Sequence, residues 1–219
     1  AGEYEDAKDS DIVIITSGIA RKPGQTRIEL TQTNVNILKS ITPEIVKVAP
    51  HALYIIVSNP VDIMTYVFTK ISGLPENQIM GSGTILDTAR LRYGLSEHFK
   101  VAQGNIHAYV FGEHGDTSFI PWTGAYISGL STDEYYEEMK AHGKDVKPLD
   151  KEAMLEYVQK SGGKVIAKKG ATFYAVSATV CQLVGLILAA SDSLATVSSM
   201  LHGEYGIEDV CLSTLTLVG

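Results

Sequence analysis

Residues Ile12-Val-Ile-Ile-Thr16 form a short, unbroken, β-branched apolar run, the pattern of a strand covered on both faces in a parallel sheet. Ser17 to Arg27 is polar, contains Gly18, Pro23 and Gly24, and predicts a mobile loop. Apolar positions then recur at helical spacing from Ile28 to Val48 (Leu30, Val35, Leu38, Ile41, Ile45, Val48), with Pro43 expected to kink or break the helix. Leu53 to Ser58 predicts a second buried strand, ended by Asn59-Pro60, and Val61 to Ile71 a helix. A β-loop-α-β-α alternation predicts a parallel sheet joined by right-handed crossovers.

The pattern changes after Gly81-Ser82-Gly83. Ile85 to Phe99 predicts a helix with Asp87 and Arg90 on one face. His107 to Phe111 predicts a strand running into the Gly112-Glu-His-Gly-Asp116 turn, and Trp122 to Ser128 a continuation of the sheet. Residues 131–150 are acidic and polar and predict a solvated segment. Asp150 to Lys169 and Phe173 to Ala190 predict helices, Thr196 to Leu201 and Leu212 to Val218 strands. The expected class is α/β: a nucleotide-type parallel unit to about residue 82, then a mixed α+β unit.

Composition narrows the partners. A net charge of −7 over 219 residues argues against nucleic acid, since no basic stripe offsets phosphate repulsion. The most apolar run, Ala175 to Ala190, is interrupted by Ser177, Thr179, Gln182 and Gly185 and predicts a core helix, not a membrane span. Cys181 and Cys211 lie thirty residues apart among apolar neighbours. That spacing suits neither a metal nor a redox pair, so two buried reduced thiols and a cytoplasmic location are expected.

Arginine is rare: Arg21, Arg27, Arg90 and Arg92 stand against fourteen lysines. Such economy points to use of the guanidinium fork, which grips a carboxylate in a plane. His114, between glycines at a strand end, has the chemistry to donate a proton to a carbonyl or take one from a hydroxyl; the alternative is a turn histidine on the surface. Asp87 could accept the other ring N–H, or serve only as an i,i+3 partner of Arg90. Arg90 could bind a substrate carboxylate, and Arg27 could polarise a carbonyl. Asn59 follows a parallel strand, where open α/β sheets bind ligands, unless Asn-Pro merely makes the turn. No glycine-rich phosphate loop is present, because Gly81-Ser82-Gly83 lacks the third glycine of the dinucleotide fingerprint. These residues support carbonyl or alcohol chemistry and leave the hydride carrier open.

The segments Ser17-Gly-Ile-Ala-Arg-Lys-Pro-Gly-Gln-Thr-Arg27, Val57-Ser-Asn-Pro-Val-Asp62, Gly81-Ser-Gly-Thr-Ile-Leu-Asp-Thr-Ala-Arg-Leu-Arg92, His107-Ala-Tyr-Val-Phe-Gly-Glu-His-Gly-Asp116 and Lys169-Gly-Ala-Thr172 together resemble bacterial L-lactate dehydrogenases, of the lactate/malate dehydrogenase superfamily. The resemblance covers the whole chain. It implies a partial Rossmann-type parallel sheet followed by a mixed α+β substrate domain. Residues 1–81 would be the C-terminal part of an NAD-binding domain and 82–219 a substrate domain truncated at its C-terminus. It implies His114 as the acid–base residue, Asp87 as its partner and Arg27 as the residue that closes over the carbonyl. Arg90 would clamp the substrate carboxylate, with Asn59, Arg21 and Thr172 also facing the substrate. Thr16, Gly18, Asn59 and Ser82 would line NAD, and no metal is implied. The family's leading strand and glycine loop are expected to be missing, so this segment alone should bind NAD poorly.

Arg21 stands where many lactate dehydrogenases have glutamine, and a guanidinium there would attract the second carboxylate of oxaloacetate. Trp122, six residues after Asp116, and Lys169-Gly-Ala-Thr172 lean the other way, and pyruvate and L-lactate are the expected pair. The rival readings are malate dehydrogenase and an inactive truncated relative. Arg92 and His107 match the pair that gathers phosphate at a subunit interface in relatives activated by fructose 1,6-bisphosphate; such an anion site implies at least a dimer, and the family resemblance implies an allosteric homotetramer.

Overall fold

The computed structural model describes residues 1–19 and 27–219, with the side chain of Arg27 outside the description. The described chain divides into two compact units, Ala1–Gly83 with Val197–Thr214, and Thr84–Thr196 with Leu215–Gly219.

In the first unit β1 (Ile12–Ile15), β2 (Leu53–Ile56) and β3 (Ile79–Gly81) lie side by side and parallel. The helices α1 (Arg27–Val48) and α2 (Val61–Ser72) make the connections, the parallel arrangement that the alternation predicts. Gly81 of β3 faces Ser198 of the antiparallel strand β7 (Ser193–His202), beyond which lies β8 (Glu208–Val218). An added Cβ on Gly81 would stand 2.3 Å from the Thr65 hydroxyl of α2 and 3.0 Å from Ser198 Cβ. The sheet therefore touches α2 there with bare backbone.

Apolar burial organises this unit around Leu38 and Ile45 of α1, Met64 and Phe68 of α2, and Ile15, Tyr54 and Ile56 of the sheet. The Tyr54 ring packs on Phe68 at 4.9 Å, and its hydroxyl donates to the Ala49 carbonyl at 2.9 Å. Burial pushes the Tyr54 pKa up. Two expectations fail here. Among the described residues β1 is not covered on both faces: Ile15 enters the core, and Ile14, on the other face, is 42% exposed. Pro43 does not break α1, which runs through it as one helix. The carbonyl the proline leaves without an N–H donor belongs to Lys39, which is exposed.

The second unit is built on α3 (Ile85–Phe99), which runs over the expected span. Its Leu91, Leu95 and Phe99 meet Ile106, Val110, Ile127 and Val158 in a separate core. Around it stand a small antiparallel sheet of β4 (Ile106–His107), β5 (Tyr126–Ile127) and β6 (Leu130–Ser131), and α4 (Thr132–Ala141), α5 (Lys151–Lys169) and α6 (Tyr174–Leu188). The strand expected from His107 to Phe111 stops at His107, and Phe111 pairs only in an isolated bridge with Phe119. Trp122 sits in a 3-10 turn instead of the sheet.

The expected solvated segment contains α4. Ser131 accepts from the Glu134 N–H at 3.2 Å, and the Glu134 carboxylate accepts from the Ser131 N–H at 2.8 Å, a capping box that starts a helix with little apolar surface. Cys181 is exposed, against expectation, because α6 turns it outward. Cys211 is buried, and burial pushes its thiol up to about 12. Among the described residues no helix is long and apolar enough to cross a membrane.

Candidate active site

Asp87 lies in the first turn of α3 and is 6% exposed. A carboxylate so deep needs partners, and each of its oxygens has one. Oδ2 lies 2.6 Å from Nδ1 of His114, and Oδ1 accepts from Arg90 Nη1 at 3.0 Å. The i,i+3 spacing brings Arg90 to Asp87. The structure thus joins the two readings of Asp87: it partners both the imidazole and the guanidinium. Arg90 lies beside Gly162 of α5, where a Cβ would stand 3.8 Å from Nη2; a larger residue would crowd the fork.

The turn that presents His114 is tied at several points. Gly112 takes φ +91°, which favours glycine. Phe111 and Phe119 exchange backbone bonds of 2.9 and 3.0 Å across its base, and their rings meet edge to face. The Gly115 N–H donates to the Glu113 carbonyl at 2.9 Å. Gln159 of α5 donates to the carbonyls of Asp116 and Ser118, each at 3.0 Å. With Nδ1 facing the carboxylate, Nε2 is the ring atom turned away from Asp87, and a positioned imidazole of this kind can exchange a proton with a substrate oxygen.

In the first unit, Thr16 and Gly18 follow β1 and Asn59 follows β2, all exposed. Asn59 Oδ1 accepts from the Val61 N–H at 3.3 Å, at the start of α2. Ser82 donates its N–H to the Ile56 carbonyl at 2.8 Å. Sequence reasoning missed Asn34, which is 2% exposed on α1. Its side-chain oxygen accepts from the Ile19 N–H at 2.9 Å, and its amide N–H donates to the Asn59 carbonyl at 2.8 Å. It binds the two strand-end loops together. The available signal was a polar residue four before Leu38 on the core-facing stripe of the helix. Ser17 Oγ is buried there without a partner among the described residues.

Thr172 is exposed in the link between α5 and α6 and bonds to none of these residues among the described contacts. Arg21 and the Arg27 side chain lie outside the described residues. Arg92 donates from Nε to the Ala108 carbonyl at 3.1 Å and lies 4.8 Å from the Tyr109 ring centre; His107, at the end of β4, is exposed. Arg92 lines a cavity of about 290 Å³ with Thr88, Gln103, Tyr109, Gln182 and Leu183. No metal-binding cluster occurs among the described residues.

Known proteins resemble this chain in sequence and in fold. Residues 1–81 match the lactate/malate dehydrogenase NAD binding domain, and residues 84–219 the alpha/beta C-terminal domain of the same family. L-lactate dehydrogenase 1 of Clostridium acetobutylicum is 48% identical over 219 residues, which is all of this chain and 69% of that protein. L-lactate dehydrogenase of Acetivibrio thermocellus is 47% identical, with 68% of its length covered. The solved structure of a lactate dehydrogenase from a Medee basin deep-sea metagenome superposes with a TM-score of 0.93 at 32% identity, covering 100% of this chain and 68% of that one. The minor L-lactate dehydrogenase of Enterococcus mundtii, in its ligands-bound form, gives 0.91 at 34% identity, covering 99% and 68%.

Proposed function

This chain belongs to the lactate/malate dehydrogenase family, and from that premise we propose that it interconverts pyruvate and L-lactate. The observation that carries the reading is the buried Asp87 carboxylate shared between an imidazole and a guanidinium. When bound, NAD supplies or accepts the hydride. The residues of the first unit fit such a group: Thr16, Gly18 and Asn59 stand exposed at the carboxyl ends of adjacent parallel strands, where α/β sheets take dinucleotides. The Ser17 hydroxyl adds a buried polar atom without a partner among the described residues. Thr16, Gly18, Asn59 and Ser82 would hold the cofactor, within a domain spanning residues 1–81, with 82–219 serving the substrate.

In the reducing direction His114 donates its proton to the substrate carbonyl oxygen. Asp87 holds Nδ1 and favours the imidazolium that forms in the opposite direction. Arg90, tied to Asp87 through one N–H, keeps further donors of its fork for the substrate carboxylate. Arg27 would stabilise the developing alkoxide, and Asn59, Arg21 and Thr172 would complete the substrate contacts. Arg92, which lines a cavity, would with His107 gather a phosphate-bearing effector such as fructose 1,6-bisphosphate. The same reading takes the enzyme as a cytoplasmic, allosteric homotetramer of glycolysis and pyruvate fermentation.

Turnover of pyruvate and of oxaloacetate with NADH tests this in the intact protein. Pyruvate should be preferred, and His114→Gln should lower kcat by roughly 10²–10⁴-fold. Full turnover in His114→Gln, or a preference for oxaloacetate, would overturn the reading.

A further inference from the structure

Behind the His114–Asp87 pair lies a set of threonines to which no role has been given. Thr84 precedes α3 and Thr88 lies one turn into it, 0% and 7% exposed. Val110, also 0% exposed, passes beside them beyond the end of β4. The Val110 N–H donates to Thr88 Oγ1 at 3.0 Å, and the Thr84 hydroxyl donates to the Val110 carbonyl. One face of α3 thereby satisfies both polar groups of a single peptide residue. Thr196 of β7 backs both grips: its hydroxyl shares a 3.0 Å bond with Thr88 Oγ1, and its carbonyl accepts from the Thr84 N–H at 3.1 Å.

We infer that Thr84 and Thr88 are positioning residues that set the separation of Asp87 and His114 by holding Val110 against α3. Asp87 adjoins Thr88, and His114 follows Val110 by four residues. The two grips are therefore a short, directional link between the halves of the pair. The apolar contacts of Leu91 and Val110 in the same core hold the elements together without fixing their register, because apolar attraction has no direction. A bond of 2.6 Å between Asp87 and His114 needs that register, since hydrogen bonds weaken steeply when misaligned. The inference rests on reading His114 and Asp87 as the acid–base pair.

Thr88→Val keeps the shape and leaves the Val110 N–H without its acceptor; Thr88→Ser keeps the acceptor. The probe is the low-field proton resonance of His114 Nδ1–H, identified by its loss in His114→Gln. In Thr88→Val this proton should exchange with water about tenfold faster than in the wild type, and Thr88→Ser should restore the slow rate. In turnover, Thr88→Val should lower kcat roughly tenfold while KM for pyruvate stays within about twofold. Wild-type exchange in folded Thr88→Val overturns the inference. If Thr88→Val does not fold, Thr84→Val carries the same expectation and the same overturning result. Should His114→Gln retain turnover while the Nδ1 proton still responds to Thr88→Val, the positioning role stands and the catalytic reading fails.

Discussion

Asp87 and Asp209 each hold a cation and a ring-borne donor, yet they live in different solvents. Asp87 pairs with Arg90 and His114 at side-chain exposures of 8%, 16% and 29%. Asp209 takes Lys70 at 2.7 Å and the Tyr66 hydroxyl at 3.2 Å, with 65% of its own side chain and 48% of that of Lys70 exposed. The Lys70 ammonium, with help from Tyr66, holds the Asp209 carboxyl below its ordinary range. Water screens that cluster and competes for each of its bonds, so the arrangement adds little to stability. At Asp87 water competes far less, and direction is kept. The same three kinds of group form the shielded cluster proposed here as the acid–base site in one place and a solvated cluster in the other.

The largest test of this contrast is Asp87→Asn, which keeps the shape and loses the charge. It should lower kcat by roughly 10³–10⁴-fold with the fold intact, as loss of an acid that fixes an imidazole does elsewhere. Retention of more than about a tenth of the turnover would place Asp87 with Asp209. Leu91→Ala, in the core beneath the same helix (Leu91 is 0% exposed), should cost about 2–5 kcal/mol in denaturant titration. Arg90→Lys should raise KM for pyruvate by roughly 10–100-fold, because an ammonium cannot reproduce the fork; an unchanged KM would remove the clamp.

On the exposed side the expected effects are small and depend on pH. His202 donates toward Glu76, and that bond, then the charge of Glu76, raises the His202 pKa above 6.5. The folded value therefore exceeds the unfolded one. The stabilisation is full below the unfolded value and is lost as pH rises through the folded value. Glu76→Gln should lower the thermal midpoint slightly at mildly acid pH and leave it unchanged in alkaline buffer. Asp209→Asn should have the smallest effect, a midpoint unchanged within error at high salt.

Much of the site was legible because its chemistry follows local spacing. Asp87 and Arg90 fall on one face of a helix whose apolar positions mark its length, and His114 sits between glycines that announce a turn. The hold of Thr84 and Thr88 on Val110 was not legible. Threonines at the start of an amphipathic helix look like filler, and a bond across more than twenty residues (Thr88 to Val110 spans 22) leaves no periodic trace. α4 was overlooked for the opposite reason: of its residues only Thr132 is buried, so charge hid the helix while Ser131 and Glu134 offered the cap in plain view. The expected break at Pro43 weighed the lost N–H and overlooked that the carbonyl left without a donor belongs to an exposed residue, Lys39. Cys181 misled because apolar neighbours along a sequence need not be neighbours around a helix.

Gly81 carries a consequence for what evolution or an engineer can do with this scaffold. The atoms that would crowd a side chain there are short and stiff: Thr65 already gives its hydroxyl to the Val61 carbonyl at 2.7 Å, so it has nowhere to swing. Position 81 works as a keyhole cut for a lone hydrogen. Even alanine would have to lever α2 away from the strands it roofs, and the first loop displaced would be the one that carries Asn59.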